Sequence, residues 1–157
     1  MRVAAVFLAV GLGAVLPAHS AAWPSFDDVR SQYQSYQDPS RLSYLYNRCA
    51  ALQLNVAALF QRSGQKKAAA DIEQLAQHYM VLSQANERDI DKKRGKDSKD
   101  TVGMVNYVVG TLSEEYSKRF KRNMAQRGDA VRGDAQLEAE VQECMSPEAF
   151  VKKALAH

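Results

Sequence analysis

Hydrophobic residues recur every three or four positions through most of this chain, which is the period of an α-helix. The pattern is strongest after Asp38-Pro39, where Asp is a favoured N-cap and Pro suits the first helical position. The apolar stripe that follows consists of Leu42, Leu45, Cys49, Leu52, Val56 and Leu59. Ser63-Gly64 then gives a C-terminal signal, because glycine readily adopts the left-handed backbone of a helix cap. This segment therefore predicts a long amphipathic helix with one face in a core.

Two more long helices are predicted after Gly64. The apolar face of the second carries Ala68, Ile72, Leu75, Tyr79, Leu82 and Asn86. Because the connection between the first two helices is so short, they should form an antiparallel hairpin. A polar residue at the position of Asn86 either fixes the register of the two helices or marks a frayed helix end. We expect the frayed end, since the segment 88–99 is rich in charge and contains a glycine. The third helix should start at Asp100-Thr101, and its stripe consists of Val102, Val105, Val109, Leu112, Tyr116 and Phe120.

Shorter helices are predicted at both ends of this set. Ser25 and Asp28 have the spacing of a capping box, and Ser146-Pro147 is an N-cap followed by proline. Two Arg-Gly-Asp sequences, at 127–129 and 132–134, indicate turns, with Asp134 as the cap of a fourth helix. The sequence predicts an all-α antiparallel bundle of about four main helices with short terminal helices. We expect its core to contain Leu45, Leu52, Leu75, Leu82, Val105 and Leu112.

Residues 1–22 have the layout of a secretory signal peptide. Arg2 supplies a positive charge, an apolar run extends to Leu16, and small residues precede Trp23. The apolar run is shorter than the roughly 20 residues that span a bilayer. We therefore expect cleavage after Ala22, or after Ser20, and a single helical domain over 23–157. The composition is typical of bacterial signals, so we expect an exported protein, periplasmic or extracellular.

The chain has two cysteines, Cys49 and Cys144. Export to an oxidising compartment favours a disulfide between them. The alternative is two small buried apolar side chains, because both cysteines lie on apolar helix faces. We predict the bond, and since no histidine lies nearby in sequence, we expect no zinc site.

The sequence contains little evidence for a catalytic site or a cofactor site. Paired carboxylates such as Glu114-Glu115 diverge by about 100° on a helix, so they do not converge on one substrate atom. His78 lies at the edge of an apolar stripe without a haem-attachment motif, which favours a boundary position over a ligand. Loss of Arg2 lowers the formal net charge of +3 to about +2, so no nucleic-acid partner is indicated. We expect no enzyme activity, no cofactor and no metal.

The third long helix carries the candidate contact surface. Its glycines recur at seven residues, and its C-terminal part has four cations around Phe120. The surface comprises Gly103, Gly110, Ser117, Lys118, Arg119, Lys121 and Arg122. The small residues would permit close approach of a helix, a ligand or a partner, or have no role. The cations would bind an acidic partner or anionic lipid headgroups, or simply complement the helix dipole.

These observations together lead to an expected class of function. We expect a binding or interaction module of the cell envelope, of the accessory, inhibitor or immunity type, with an envelope protein as its partner. The alternative is a carrier of a small ligand or lipid that uses the interior of the bundle. The sequence does not indicate the oligomeric state.

Overall fold

The structure is a computed structural model that describes residues 23–36, 38–96 and 100–155, with side chains omitted for 33–36. The predicted signal peptide, residues 1–22, lies outside the described residues. The helices are α1 (Phe26–Tyr36), α2 (Pro39–Arg62), α3 (Lys66–Lys93), α4 (Thr101–Arg127), α5 (Ala135–Glu143) and α6 (Pro147–Leu155). The predicted all-α fold is confirmed. None of the described helices combines the length and the apolar character needed to cross a membrane.

Short-range capping interactions define where the helices begin and end. Asp38 accepts a hydrogen bond from the Ser40 amide, and Asp134 accepts one from the Leu137 amide, so α2 and α5 start where the sequence predicts. At the end of α4, Gly128 has a φ of 73°, and its amide bonds back to the Met124 carbonyl. This left-handed conformation strains any residue with a Cβ atom, which explains the glycine.

Helix α2 is the centre of the molecule and packs against α1, α3, α4 and α5. Its residues Leu45 and Leu52 are fully buried, as is Val105 of α4, and Leu112 is nearly so. The expectation that Leu75 and Leu82 are buried is wrong, because both are only partly buried. The buried residues of α3 are instead Ala69, Ile72, Ala76, Tyr79, Ser83 and Ile90. Small side chains at three of these positions permit close contact with α2, and this turns the neighbouring leucines towards the edge.

Helix α3 is longer than its hydrophobic pattern predicts. It continues to Lys93, and Ile90 is buried one turn beyond Asn86. The Asn86 side-chain amide donates to the Pro39 carbonyl at 2.8 Å and to the Ser43 hydroxyl at 2.7 Å. Asn86 therefore ties α3 to the first turn of α2, and the interpretation of this residue as a frayed helix end is wrong.

The predicted disulfide is present between Cys49 and Cys144, with a Cα–Cα distance of 5.3 Å. Both cysteines are fully buried, and the bond joins the middle of α2 to the end of α5. Next to it, the Gln53 amide donates to the Cys144 carbonyl at 2.8 Å. The described part of the chain contains no free cysteine. The bond holds α5, and with it one wall of the surface described below, against the central helix.

Candidate functional site

The basic cluster of α4 is divided between two sides of the helix. Lys121 faces a cleft between the C-terminal halves of α2 and α4, whereas Lys118, Arg119 and Arg122 face a cleft on the opposite side. We call these the apolar cleft and the basic cleft. Residues at neighbouring positions on a helix diverge by about 100°, so five consecutive residues cannot all serve one contact. The cations that are adjacent in sequence therefore lie along two separate clefts.

The basic cleft has a volume of about 350 Å³ and lies between α4, the start of α5 and Trp23. Its basic side chains are Lys118, Arg119, Arg122 and Arg127, and its acidic side chains are Glu115 and Asp134. Lys118 pairs with Glu115 at 2.6 Å, and Arg119 pairs with Asp134 at 2.6 Å. Both acids of the cleft are therefore neutralised by its own cations, and the charge that is left over is positive.

Arg122 and Arg127 carry that remaining charge. Arg122 is exposed and has no ion pair or hydrogen bond among the described residues. Arg127 donates to the Asn123 side chain at 3.1 Å and lies 3.9 Å from an oxygen of Asp134, which Arg119 already holds. The two arginines are thus the groups of this cleft with charge available to an anion.

Asp134 is the acid that organises the wall of the basic cleft. Partial burial opposes its ionisation, but hydrogen bonds from Arg119, Asn123 and the Leu137 amide outweigh burial and lower the pKa of Asp134 to about 2. The carboxylate therefore stays ionised, caps α5 and connects that helix to α4. The predicted role of Asp134 as a cap is confirmed, and the ion pair with Arg119 adds a tertiary role.

Beneath the basic cleft lies a buried charged network. Arg48 of α2 and Glu140 of α5 have side chains that are 0% and 2% exposed, and their nearest atoms are 2.5 Å apart. The hydroxyl of Tyr116, also fully buried, donates to Glu140 at 2.5 Å and accepts from Arg48 at 3.3 Å. Gln136 donates to Glu140 at 3.0 Å. Buried charges are tolerated only when paired and hydrogen-bonded, and this network meets that condition.

Arg48 also holds the N-terminal segment in place. Its guanidinium donates to the Pro24 carbonyl at 2.6 Å and lies over the rings of Trp23 and Phe26, 5.0 and 4.7 Å from their centroids. Trp23 in turn packs edge-on against Tyr116, with 5.0 Å between ring centroids. Trp23 therefore forms a wall of the basic cleft because a buried cation fixes it there.

Arg48 and Glu140 are not among the predicted site residues, although the sequence carries a signal for both. Arg48 lies three residues after Leu45 and four before Leu52, and Glu140 lies three after Leu137 and four before Cys144. Each charged residue thus occupies a position within an apolar helical stripe. Such positions mark charges that the fold must bury and pair.

Two buried tyrosines differ in what their hydroxyls contact, and this predicts losses of stability of different size when each is replaced by Phe. Burial raises the pKa of both phenols, and Glu140 adds to the effect at Tyr116. Tyr116→Phe should lower the free energy of unfolding by about 1.5–3 kcal/mol, because it removes a hydrogen bond to a buried carboxylate. Tyr79→Phe should cost less than about 0.5 kcal/mol, since the Tyr79 hydroxyl has no partner in the described residues.

Urea denaturation of the two Phe variants measures this contrast. The rings stay in place in both variants, so the difference isolates the hydroxyl groups. Equal losses of stability in the two variants would contradict the assigned hydrogen bonds of Tyr116.

The small residues of the candidate contact surface have separate environments. A Cβ atom on Gly103 would lie 2.4 Å from a carboxylate oxygen of Asp100, which caps α4 by accepting from the Gly103 amide. Gly103 therefore has a local explanation in the helix cap. Gly110 is exposed with open space around it, and Ser117 is half-buried in the wall of the apolar cleft. These three residues do not line a common cavity.

The two clefts offer positive charge and a concave surface to a ligand. Among the described residues, no group of three or more His, Cys, Asp or Glu side chains is placed to hold a metal ion. His78 lies in a separate shallow cleft between α3 and α6, away from the carboxylates and cations of α4. The arrangement beside α4 is suited to binding anionic groups.

Compared with known proteins, the chain matches no family model, no curated protein and no solved structure.

Proposed function

We propose that this protein is an exported, non-enzymatic binding module that contacts an acidic partner protein of the cell envelope through the basic cleft. The observation that carries the proposal is the charge left in that cleft. Arg122 has no acidic partner among the described residues, and Arg127 shares Asp134 with Arg119, while Glu115 is engaged by Lys118. Electrostatic complementarity of this kind steers an oppositely charged protein and sets its orientation.

The construction of the cleft wall supports a role in recognition by a preformed surface. Each wall residue has a buried or partly buried partner that holds it. Arg48 lies over the ring of Trp23, Glu140 accepts from Tyr116, and Arg119 pairs with Asp134. Rigid walls reduce the entropy lost when a partner binds. The Cys49–Cys144 bond supports the export part of the proposal, because disulfides persist in oxidising compartments.

Carriage of a ligand within the bundle is the alternative that the sequence left open. The interior described around α2 is occupied by large side chains of the protein itself, including Arg48, Tyr79 and Tyr116. The apolar and basic clefts are both bordered by exposed residues such as Lys121 and Arg122. We therefore favour binding at the surface over carriage in the core.

A matched pair of charge reversals tests the proposed contact. The partner is first captured from an envelope extract with the parent protein as bait, identified, and purified. Arg122→Glu/Arg127→Glu should then lower its association rate at least about tenfold and remove most of the salt dependence, with little change in dissociation. Stopped-flow or surface plasmon resonance at two salt concentrations gives both rates.

Lys92→Glu/Lys93→Glu is the control for net charge. These two lysines are exposed in the last turn of α3, and their reversal changes the total charge by the same amount. The control should bind like the parent protein. If it loses association rate to the same degree, long-range net charge and not the basic cleft governs binding, and the assignment of the contact is wrong.

A further inference from the structure

The apolar cleft lies on the opposite side of α4 from the basic cleft, and its lining residues take no part in the protein contact proposed above. It has a volume of about 290 Å³ and lies between the C-terminal halves of α2 and α4. Its lining residues are Asn55, Leu59, Arg62, Ser117, Phe120, Lys121, Met124, Ala125 and Ala130. Leu59, Phe120 and Met124 supply the large apolar side chains, so the walls offer a hydrophobic contact area to whatever enters.

Two cations without acidic partners stand among these apolar walls. Arg62 and Lys121 are both exposed and make no ion pair or hydrogen bond among the described residues. No Asp or Glu lies among the described residues that line the cleft. Exposed ion pairs are common elsewhere on this surface, as between Lys67 and Asp71 at 2.8 Å. The apolar cleft therefore combines a hydrophobic wall with an uncompensated double positive charge.

Small side chains keep the cleft open. Ser117, Ala125 and Ala130 line it at positions where larger residues would fill the space. Asn55 of α2 supports the same wall, since its amide donates to the Ser113 carbonyl at 3.0 Å and to the Ser113 hydroxyl at 2.8 Å. These bonds link α2 to α4 next to the cleft and stabilise the spacing of its two walls.

We propose that the apolar cleft binds a medium-chain carboxylate, with its apolar chain against Leu59, Phe120 and Met124 and its carboxylate between Arg62 and Lys121. The volume is at the lower limit of small-molecule sites, about 300–1,000 Å³, which favours a short chain over a complete lipid. The charge selects an anion over the neutral alcohol of the same length. This site is independent of the basic cleft, and its test requires no protein partner.

The exposed methionines provide an internal control for a direct binding test with octanoate. Met124 lines the cleft and is 47% exposed, while Met104 and Met145 lie elsewhere and are 43% and 48% exposed. In methyl NMR of the full protein, octanoate should shift the Met124 methyl signal to saturation and leave Met104 and Met145 unchanged. Non-specific association of the chain with apolar surface would instead shift all three to a similar extent, and that result would overturn the proposal.

Two variants test the charge and the cavity separately. Arg62→Gln/Lys121→Gln should weaken octanoate binding about tenfold, because charge-assisted hydrogen bonds are lost, while binding of octanol should not change. Ala125→Phe should abolish the saturable shift of the Met124 methyl signal, because the added ring fills the cleft. Ala125 itself is exposed, so the ring need not enter the core. Its control is Ala70→Phe, which places the same ring on an exposed face of α3.

The two variants also separate the possible failures. If Ala125→Phe does not fold, the glutamine variant still decides the question, since its substitutions lie at exposed positions. If the glutamine variant binds octanoate as tightly as the parent protein, the cleft has no anion site and the proposal is wrong. Neither result affects the protein contact proposed for the basic cleft, because that test replaces Arg122 and Arg127.

Discussion

Replacing Arg48 with methionine should lower the free energy of unfolding by about 3–5 kcal/mol, because the change leaves a carboxylate buried without its counter-charge. Glu140 is only 2% exposed and lies 2.5 Å from the guanidinium. The same substitution also removes the contacts of Arg48 with the Pro24 carbonyl and the Trp23 ring. Urea denaturation followed by far-UV circular dichroism gives the loss, and Trp23 fluorescence reports release of the N-terminal segment.

Two further variants show whether the loss of stability in Arg48→Met comes from the unpaired buried carboxylate. Arg48→Met/Glu140→Leu removes both charges and should lose less than Arg48→Met alone, because no unpaired charge then stays buried. Lys67→Ala breaks an ion pair whose side chains are 89% and 59% exposed, and it should cost far less than Arg48→Met, because solvent screens exposed charges. If Arg48→Met costs no more than Lys67→Ala, the buried network does not stabilise the fold and the basic cleft does not depend on it.

The starts of the helices could be predicted from the sequence because they depend on residues close together in the chain. Asp38, Asp100 and Asp134 each accept a hydrogen bond from an amide two or three residues further on. The disulfide could be predicted because the chain offers one pair of cysteines. Features of this kind need no knowledge of how the helices pack.

The rotation of α3 could not be predicted from the same pattern. A stripe through Leu75 and Leu82 and a stripe through Ala76 and Ser83 differ by one position along the helix. Hydrophobicity favours the leucines, but small residues allow α3 to approach α2 more closely, and the closer packing determines which stripe is buried. The end of α3 cannot be predicted for a related reason, since Asn86 pairs with Pro39 and Ser43 from α2.

The division of the basic cluster into two clefts also follows from packing. Helical geometry alone places Lys121 and Arg122 in different directions, but the walls come from other parts of the chain. Leu59 and Arg62 of α2 complete one cleft, and Trp23 and Asp134 complete the other. A sequence indicates that a helix face is basic, whereas the neighbours of that face determine what the cations can bind.

The buried network and the disulfide act on the same pair of helices. Arg48 and Cys49 are adjacent on α2, and Glu140 and Cys144 lie one turn apart at the end of α5. A noncovalent and a covalent link thus hold α5 to α2 within about one helical turn. Since Asp134 and Gln136 at the start of α5 line the basic cleft, both links determine the position of its wall.

The disulfide carries the second large expected effect. Cys49→Ala/Cys144→Ala should lower the free energy of unfolding by about 2–5 kcal/mol, because the unfolded chain regains the freedom that a link between residues 95 positions apart removes. Alanine is preferable to serine here, since both sites are fully buried and a hydroxyl would need a partner. The urea dependence should also steepen, because the uncrosslinked chain exposes more surface on unfolding.

Binding distinguishes a loss of stability from a loss of the cleft wall. In the double alanine variant Arg48 and Glu140 are intact, so α5 should stay docked under native conditions and Arg119 should keep its ion pair with Asp134. Binding to the captured partner should therefore persist at temperatures well below the lowered melting point. Arg48→Met, by contrast, should weaken binding even where it is fully folded, because Trp23 and Glu140 lose the group that positions them. If the double alanine variant is as stable as the parent protein, the bond does not constrain the unfolded chain, and the buried charges alone hold α5 in place.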